Sequence, residues 1–281
     1  MKLELRKFDM AGLKDDAVVI YVAPRNCGKS TLLLDTLFYH KDIPIGVVIS
    51  GTESANHGFE KYCPKMLIYD EYSPEIIEKF LERQRKISDQ YLVEKEKYGR
   101  SDIDPRAFLI LDDCMYDSNW TKDKNMRYIF FNGRHLHIFL LITMQYPLGI
   151  PPAMRANVDY VFLCRNNMVK EREKLYHQYA GMFPNMEVFN TVLTQCTEDY
   201  ECLVISKRTI SNKLEDQVFW YKAKMGHKFR LCSKEIWELQ DMDDERQKMG
   251  GKPPDPEEDY NPAVMRPRRN LPQIKVRKAQ Q

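Results

Sequence analysis

Residues Ala23-Pro24-Arg25-Asn26-Cys27-Gly28-Lys29-Ser30-Thr31 lie between an apolar run, Ala17 to Val22, and a stretch with helical periodicity that starts at about residue 29. A buried strand, a short loop and a helix N-terminus in that order make an anion cradle, because consecutive backbone N–H groups face inward and the helix dipole favours negative charge. Gly28, Lys29 and Ser30 fill the last three positions of G-x-x-x-x-G-K-[ST], which puts a lysine on β- and γ-phosphates and a hydroxyl on Mg²⁺. Ala23 stands where the pattern has its first glycine, so the backbone there must lie in a region open to L-residues. The chemistry implied is binding of a nucleoside triphosphate, ATP with Mg²⁺; the alternative is a strand-to-helix turn with an incidental lysine. Cys27 reads as loop packing or as a thiol made reactive by the helix start.

A phosphate cradle needs an acid nearby to hold the metal. Phe108-Leu109-Ile110-Leu111-Asp112-Asp113 supplies four apolar residues followed by two carboxylates. Asp112, at the strand end, would position Mg²⁺, and Asp113 would polarise the attacking water. Two adjacent carboxylates repel each other, and a divalent cation relieves that repulsion. The bland reading of Asp113 is a turn or helix-cap acid. The next strand-like run ends in Thr143-Met144-Gln145 and brings an amide to the edge where open α/β sheets bind ligands. Gln145 there senses the γ-phosphate or orients water; the bland reading is a loop hydrogen-bonder.

These side chains must be carried by a mostly parallel sheet. The apolar runs Ala17 to Val22, Phe108 to Leu111 and Ile138 to Ile142 are strand-sized, nearly continuous and separated by helical patterns, as expected of strands covered on both faces. The spacing predicts an edge-like strand over 2–8, helices over 29–40, 73–98, 123–133 and 168–195, further strands over 45–50 and 158–164, and a closing strand pair over 201–206 and 217–222. The chain has 281 residues with 43% hydrophobic and 30% charged, enough apolar material for a sizeable core. Lys plus Arg number 43 against 41 Asp plus Glu, so the net charge of +2 offers no global field for nucleic acid, and any basic surface is local. No run is long enough to span a membrane. Seven cysteines without a C-x-x-C pair predict a reducing compartment and neither a disulfide framework nor a zinc site.

Alternation persists to about residue 222, which predicts one α/β domain over 1–237. Composition then shifts: residues 241–260 hold eight acids against three bases, and 264–281 hold six bases and no acid, with six prolines from 253 onward. Residues 238–281 are therefore predicted to form a flexible, acidic-then-basic tail.

In order, Ala23 to Thr31, Leu109 to Asp113, Gly133-Arg134-His135-Leu136-His137 and Thr143 to Gln145 resemble the FtsK/HerA superfamily of P-loop DNA-pumping ATPases, most closely the genome-packaging ATPases of large nucleocytoplasmic DNA viruses. The likeness spans residues 17 to about 165. It implies a RecA-like P-loop fold in which the acid-bearing strand neighbours the Gln-bearing one. It also implies a homo-oligomeric ring threaded by double-stranded DNA, in the host cytoplasm at the assembly site or within the virion. The family's arginine finger, which acts on the neighbouring subunit's phosphates, falls on Arg134; Arg127, Arg155 and Arg165 are fallback positions. The superfamily often carries Glu where Asp113 stands, and Asp is shorter by one methylene.

A motor that slides must hold phosphates without reading bases. Candidate contacts are Arg100 and Arg106, Lys122 and Lys124, and the tail residues Arg266, Arg268, Arg269, Lys275, Arg277 and Lys278. The tail could instead dock on a capsid or membrane-vertex protein. Two other functional readings share the same loop: a small-molecule kinase acting on a nucleoside or nucleotide, and a non-catalytic NTP-binding scaffold.

Overall fold

The computed structural model describes residues 3–114 and 118–248. The chain runs through β1 (Val18–Val22), α1 (Lys29–Tyr39), β2 (Gly46–Ser50), α2 (Glu53–Asn56), β3 (Ile68–Tyr69), α3 (Pro74–Tyr98), β4 (Ala107–Asp112), α4 (Lys124–Asn132), β5 (Ile138–Met144), α5 (Pro152–Arg155), β6 (Tyr160–Leu163), α6 (Val169–Tyr179), α7 (Met186–Gln195), β7 (Glu201–Ser206), α8 (Leu214–Gln217), β8 (Val218–Lys222) and α9 (Lys234–Lys248). Among the described residues the strands form one eight-stranded sheet in the order β3-β2-β4-β5-β1-β6-β7-β8. The strands from β3 to β6 pair in parallel, while β7 and β8 run antiparallel.

Every residue of β1, β2, β4, β5 and β6 is buried. Successive side chains point to opposite faces of a strand, so burial at every position requires cover on both faces, as the unbroken apolar runs implied. Gly46, at the start of β2, lets the backbone pass Phe108 at close range. A Cβ there would lie 2.2 Å from Phe108 Cδ2, inside a ring that is itself fully buried. Gly46→Ala is expected to cost about 1–3 kcal/mol through overpacking. In thermal unfolding, that corresponds to about 2–4 °C of Tm per kcal/mol.

Local signals set several element ends. Ser73 caps α3 by accepting from the Glu75 amide at 3.3 Å, Pro74 occupies the first turn, and Gly99 ends the helix at φ 71°. Asp123 caps α4 through the Asn125 amide at 2.7 Å.

Three expectations differ from the fold. Of the strand expected over 2–8, the described residues 3–8 form none: Lys7 makes a single bridge to Trp220, and the Phe8 amide donates to the Trp220 carbonyl at 2.9 Å. Phe8 is anchored instead by edge-on contacts with Tyr160, Phe162 and Phe219. The helix expected over 168–195 is two helices, because Gly181 and Pro184 interrupt it and Asn185 caps α7 through the Val188 amide at 2.9 Å. The composition break at residue 237 is also no break in structure, since α9 runs across it to Lys248 and buries Ile236 and Gln240. The basic half of the tail lies outside the described residues.

Arg106 is not a free cation for DNA. Its guanidinium bonds Asp15 at 2.7 Å, Asp42 at 2.9 Å and Asp104 at 2.7 Å, tying the approach to β4 to the segment before β1. The Asp15 carboxyl is held down at about 2, first by His40 and then by Arg106, against the opposing effect of burial. A carboxyl with a depressed folded pKa adds stability that is complete above its unfolded value of about 3.9 and is lost as pH falls toward 2. The urea midpoint of Asp15→Asn is thus expected to trail wild type at pH 6, with the gap narrowing at pH 3.

All seven cysteines are free, and Cys63, Cys114, Cys164 and Cys202 are buried. Burial pushes the thiols of Cys114 and Cys164 up to about 12, so at neutral pH they pack as small hydrophobes. No helix among the described residues is long and apolar enough to cross a membrane.

Candidate phosphate-binding and catalytic site

The parallel strands bring their carboxyl ends level. Register pairs Val22 with Met144, Thr143 with Asp112, and Asp112 with Ser50, so the ends of β1, β5, β4 and β2 form one ledge. The 23–28 loop rises from this ledge and turns into α1. Its left-handed positions are Asn26 at φ 61° and Gly28 at φ 81°, while Ala23 keeps an ordinary φ. Ala23 is fully buried and its amide donates to the Met144 carbonyl at 3.0 Å, so a methyl is accommodated where the motif usually has glycine. Pro24 is half-buried, Arg25 and Asn26 are exposed, and Ser30 and Thr31 open α1. The Cys27 thiol donates to the Arg165 carbonyl at 3.6 Å, which fits loop packing.

Gly28 is the N-cap of α1, and no side chain caps the helix there. The first amides of α1 therefore remain available to an anion. Lys29, 8% exposed, sends its ammonium to the Asp113 carboxylate, with which it forms a close ion pair. Gln145 donates from Nε2 to the other Asp113 oxygen at 3.2 Å. The loop lysine, the second acid and the strand-end amide, which come from three separate stretches of sequence, thus meet at one carboxylate. Asp113 takes part in this cluster, whatever role it has in the turn that follows β4. It sits in the left-handed region at φ 52°, a conformation that costs a non-glycine residue of order 1 kcal/mol, and its amide donates to Thr143 Oγ1 at 3.0 Å.

Asp112 is buried and doubly oriented. Thr143 Oγ1 donates to one oxygen at 2.6 Å and Ser50 Oγ to the other at 3.1 Å. Ser50 and Thr143 were not assigned roles from sequence; the available signal was a hydroxyl at the final turn of each strand flanking β4. A carboxylate has about four lone-pair sites, so these two bonds leave Asp112 room to accept from metal-bound water. Among the described residues no group of three or more His, Cys, Asp or Glu side chains is arranged to hold a metal alone. Mg²⁺ at a triphosphate does not need one, since it keeps waters and phosphate oxygens and takes one or two protein oxygens. Ser30 and Asp112 fit that donor set.

Arg134 is not part of this cluster within the chain. It is exposed on the 3-10 turn Gly133–Leu136 that precedes β5, at the amino edge of the sheet. There it lines a small cavity of about 120 Å³ with Asp16, Phe131, Asp159 and Lys207. Buried Gln84 of α3 holds the turn by donating to the Leu136 carbonyl at 2.7 Å. Of the other arginines, Arg165 follows β6 on the ledge and bonds Asn167 at 3.2 Å, Arg155 is engaged with the Ile150 carbonyl at 2.8 Å, and Arg127 is exposed on α4. Arg100, Lys122 and Lys124 are exposed.

With this geometry established, sequence relatives place the chain. Protein L437 of Acanthamoeba polyphaga mimivirus is 37% identical over 239 residues, covering 85% of this chain and 83% of that protein. The chain belongs to that viral family. Protein 075L of Invertebrate iridescent virus 6 is another member, 36% identical over 205 residues that cover 73% of this chain and 74% of the relative. No family model matches the chain. Among solved structures, the genome-packaging NTPase B204 of Sulfolobus turreted icosahedral virus 2 in complex with AMPPCP has a TM-score of 0.52 at 17% identity, covering 76% of this chain and 100% of that one. The conjugation coupling protein TcpA with ATPγS scores 0.51 at 13% identity, covering 77% of this chain and 61% of that one. At these identities the likeness establishes the fold. The chain has the mixed-sheet P-loop fold of that viral genome-packaging NTPase, as the motif resemblance implied.

Proposed function

We propose that the chain is an ATP-driven translocase of double-stranded DNA that packages a viral genome, hydrolysing ATP at the subunit interfaces of a ring. The convergence of Lys29, Asp112, Asp113 and Gln145 beside the open N-terminus of α1 carries this reading. In it, the loop amides and Lys29 bind the phosphates, and Ser30 with Asp112 holds Mg²⁺, which when bound offsets the charge on the β- and γ-phosphates. Lys29 leaves Asp113 for the γ-phosphate, and the freed carboxylate accepts a proton from the attacking water. Gln145, already hydrogen-bonded to that carboxylate, orients the water. Arg134 of one subunit serves the neighbour's phosphates. B204, whose fold this chain shares, is described as a genome-packaging NTPase, which supports the DNA-packaging part of the proposal.

Asp113→Asn separates binding from chemistry. It keeps the shape and the Gln145 contact and removes the base, so turnover is expected to fall about 10²- to 10⁴-fold while ATP affinity stays near wild type. Phosphate release with and without duplex DNA, at several protein concentrations, tests the function as a whole. Stimulation by DNA and a specific activity that rises with concentration are expected. Fast hydrolysis in dilute protein that ignores DNA would overturn the translocase reading, and phosphoryl transfer to a nucleoside would replace it with the kinase.

A further inference from the structure

Tyr200 is an aromatic side chain left 73% exposed beside the phosphate loop. It ends the turn before β7, and β7 runs antiparallel to β6, with Leu203 opposite Leu163, so this turn lies at the same edge of the sheet as the 23–28 loop. Its ring lies against Gly28: a Cβ placed on Gly28 would come within 3.6 Å of Tyr200 Cδ1. The backbone is constrained to hold it there, since Asp199 and Tyr200 adopt left-handed conformations in succession, at φ 48° and 61°. That is costly for two non-glycine residues. The Asp199 carboxylate is in turn held by Lys222 at the end of β8.

The direction in which a nucleotide must lie follows from the strand order. Asp112, Asp113 and Gln145 stand at the ends of β4 and β5, on one side of β1, while β6 and β7 lie on the other side. A triphosphate whose γ-phosphate faces the acids must send its α-phosphate and nucleoside the opposite way, toward β6 and β7. Tyr200 is on that side.

We infer that Tyr200 is the nucleobase platform of the site, its exposed ring stacking on the base of the bound nucleoside triphosphate. This rests on the phosphate-site reading above. Stacking on an aromatic ring needs a π-face and no hydrogen-bond pattern, and it adds affinity for a nucleotide that a bare polyphosphate does not gain.

The test is calorimetric titration of the full chain with two magnesium-loaded probes, AMPPCP and inorganic tripolyphosphate. Wild type is expected to bind AMPPCP more tightly than tripolyphosphate. Tyr200→Ala should weaken AMPPCP binding by about 5- to 100-fold and leave tripolyphosphate within two-fold, and Tyr200→Phe should restore the AMPPCP affinity. Equal weakening of both probes would make the ring a prop for the Gly28 turn and overturn the inference, as would no change in either. Equal wild-type affinity for the two probes overturns the platform while sparing the phosphate site. A wild type that binds neither overturns the phosphate-site reading, and this inference with it.

Discussion

Lys29→Ala is expected to lower ATP turnover by about 10²- to 10³-fold and to weaken nucleotide binding in the same protein. Lys29 opens α1, is almost wholly buried and carries its charge on a flexible stem that already reaches Asp113. In the proposed function its ammonium therefore serves both the γ-phosphate and the Asp113 base. The alanine removes the positive charge that would stabilise the transferring phosphoryl group and also leaves Asp113 without its ion-pair partner. Lys29→Arg is expected to rescue little, because a planar fork does not replace a compact point charge in a closed loop. Steady-state phosphate release together with nucleotide titration reads both effects. Near-normal turnover in Lys29→Ala would mean that the 23–31 loop is only a strand-to-helix turn.

Arg134→Ala is expected to have the larger effect on turnover, about 10³- to 10⁵-fold, with nucleotide affinity retained. The reason is positional. Arg134 precedes β5 and Gln145 follows it, so the seven residues of that strand, at about 3.3 Å each, put roughly 20 Å between the arginine's turn and the ledge. A side chain cannot span that distance inside one chain, and Arg134 can act on phosphates only from a neighbouring subunit. Mixing Arg134→Ala with Asp112→Ala subunits should then recover part of the activity, since some interfaces pair an intact arginine with an intact metal site. No recovery at any ratio would remove Arg134 from the chemistry, and Arg165, already on the ledge beside the loop, would be the next arginine to examine.

The central elements of the site were legible in the chain because they are local. A glycine-lysine-serine run at a strand-to-helix junction, two acids ending one apolar run and a glutamine ending the next each announce themselves within ten residues. Their meeting point follows from parallel register, which brings strand ends level whenever neighbouring strands share a direction. What depends on long-range pairing was not legible. The hydroxyls of Ser50 and Thr143 orient Asp112 from flanking strands 62 and 31 residues away in sequence. Tyr200 is ordinary in its own stretch and becomes notable only when β7 returns antiparallel to the ledge. Residues 2–8 alternate like a strand, yet the described residues 3–8 make one bridge, and Phe8 is held instead among the rings of Tyr160, Phe162 and Phe219. Arg106 read as a free cation until the fold set three aspartates around it.

The most direct test is displacement of a third strand annealed at increasing distances along a linear duplex, with wild type and Asp113→Asn compared at equal nucleotide occupancy. The translocase account expects ATP-dependent release whose delay lengthens with distance for wild type, and none for Asp113→Asn. If wild type hydrolyses ATP while the third strand stays bound, or releases it equally well without hydrolysis, the site is an NTPase that does not move DNA.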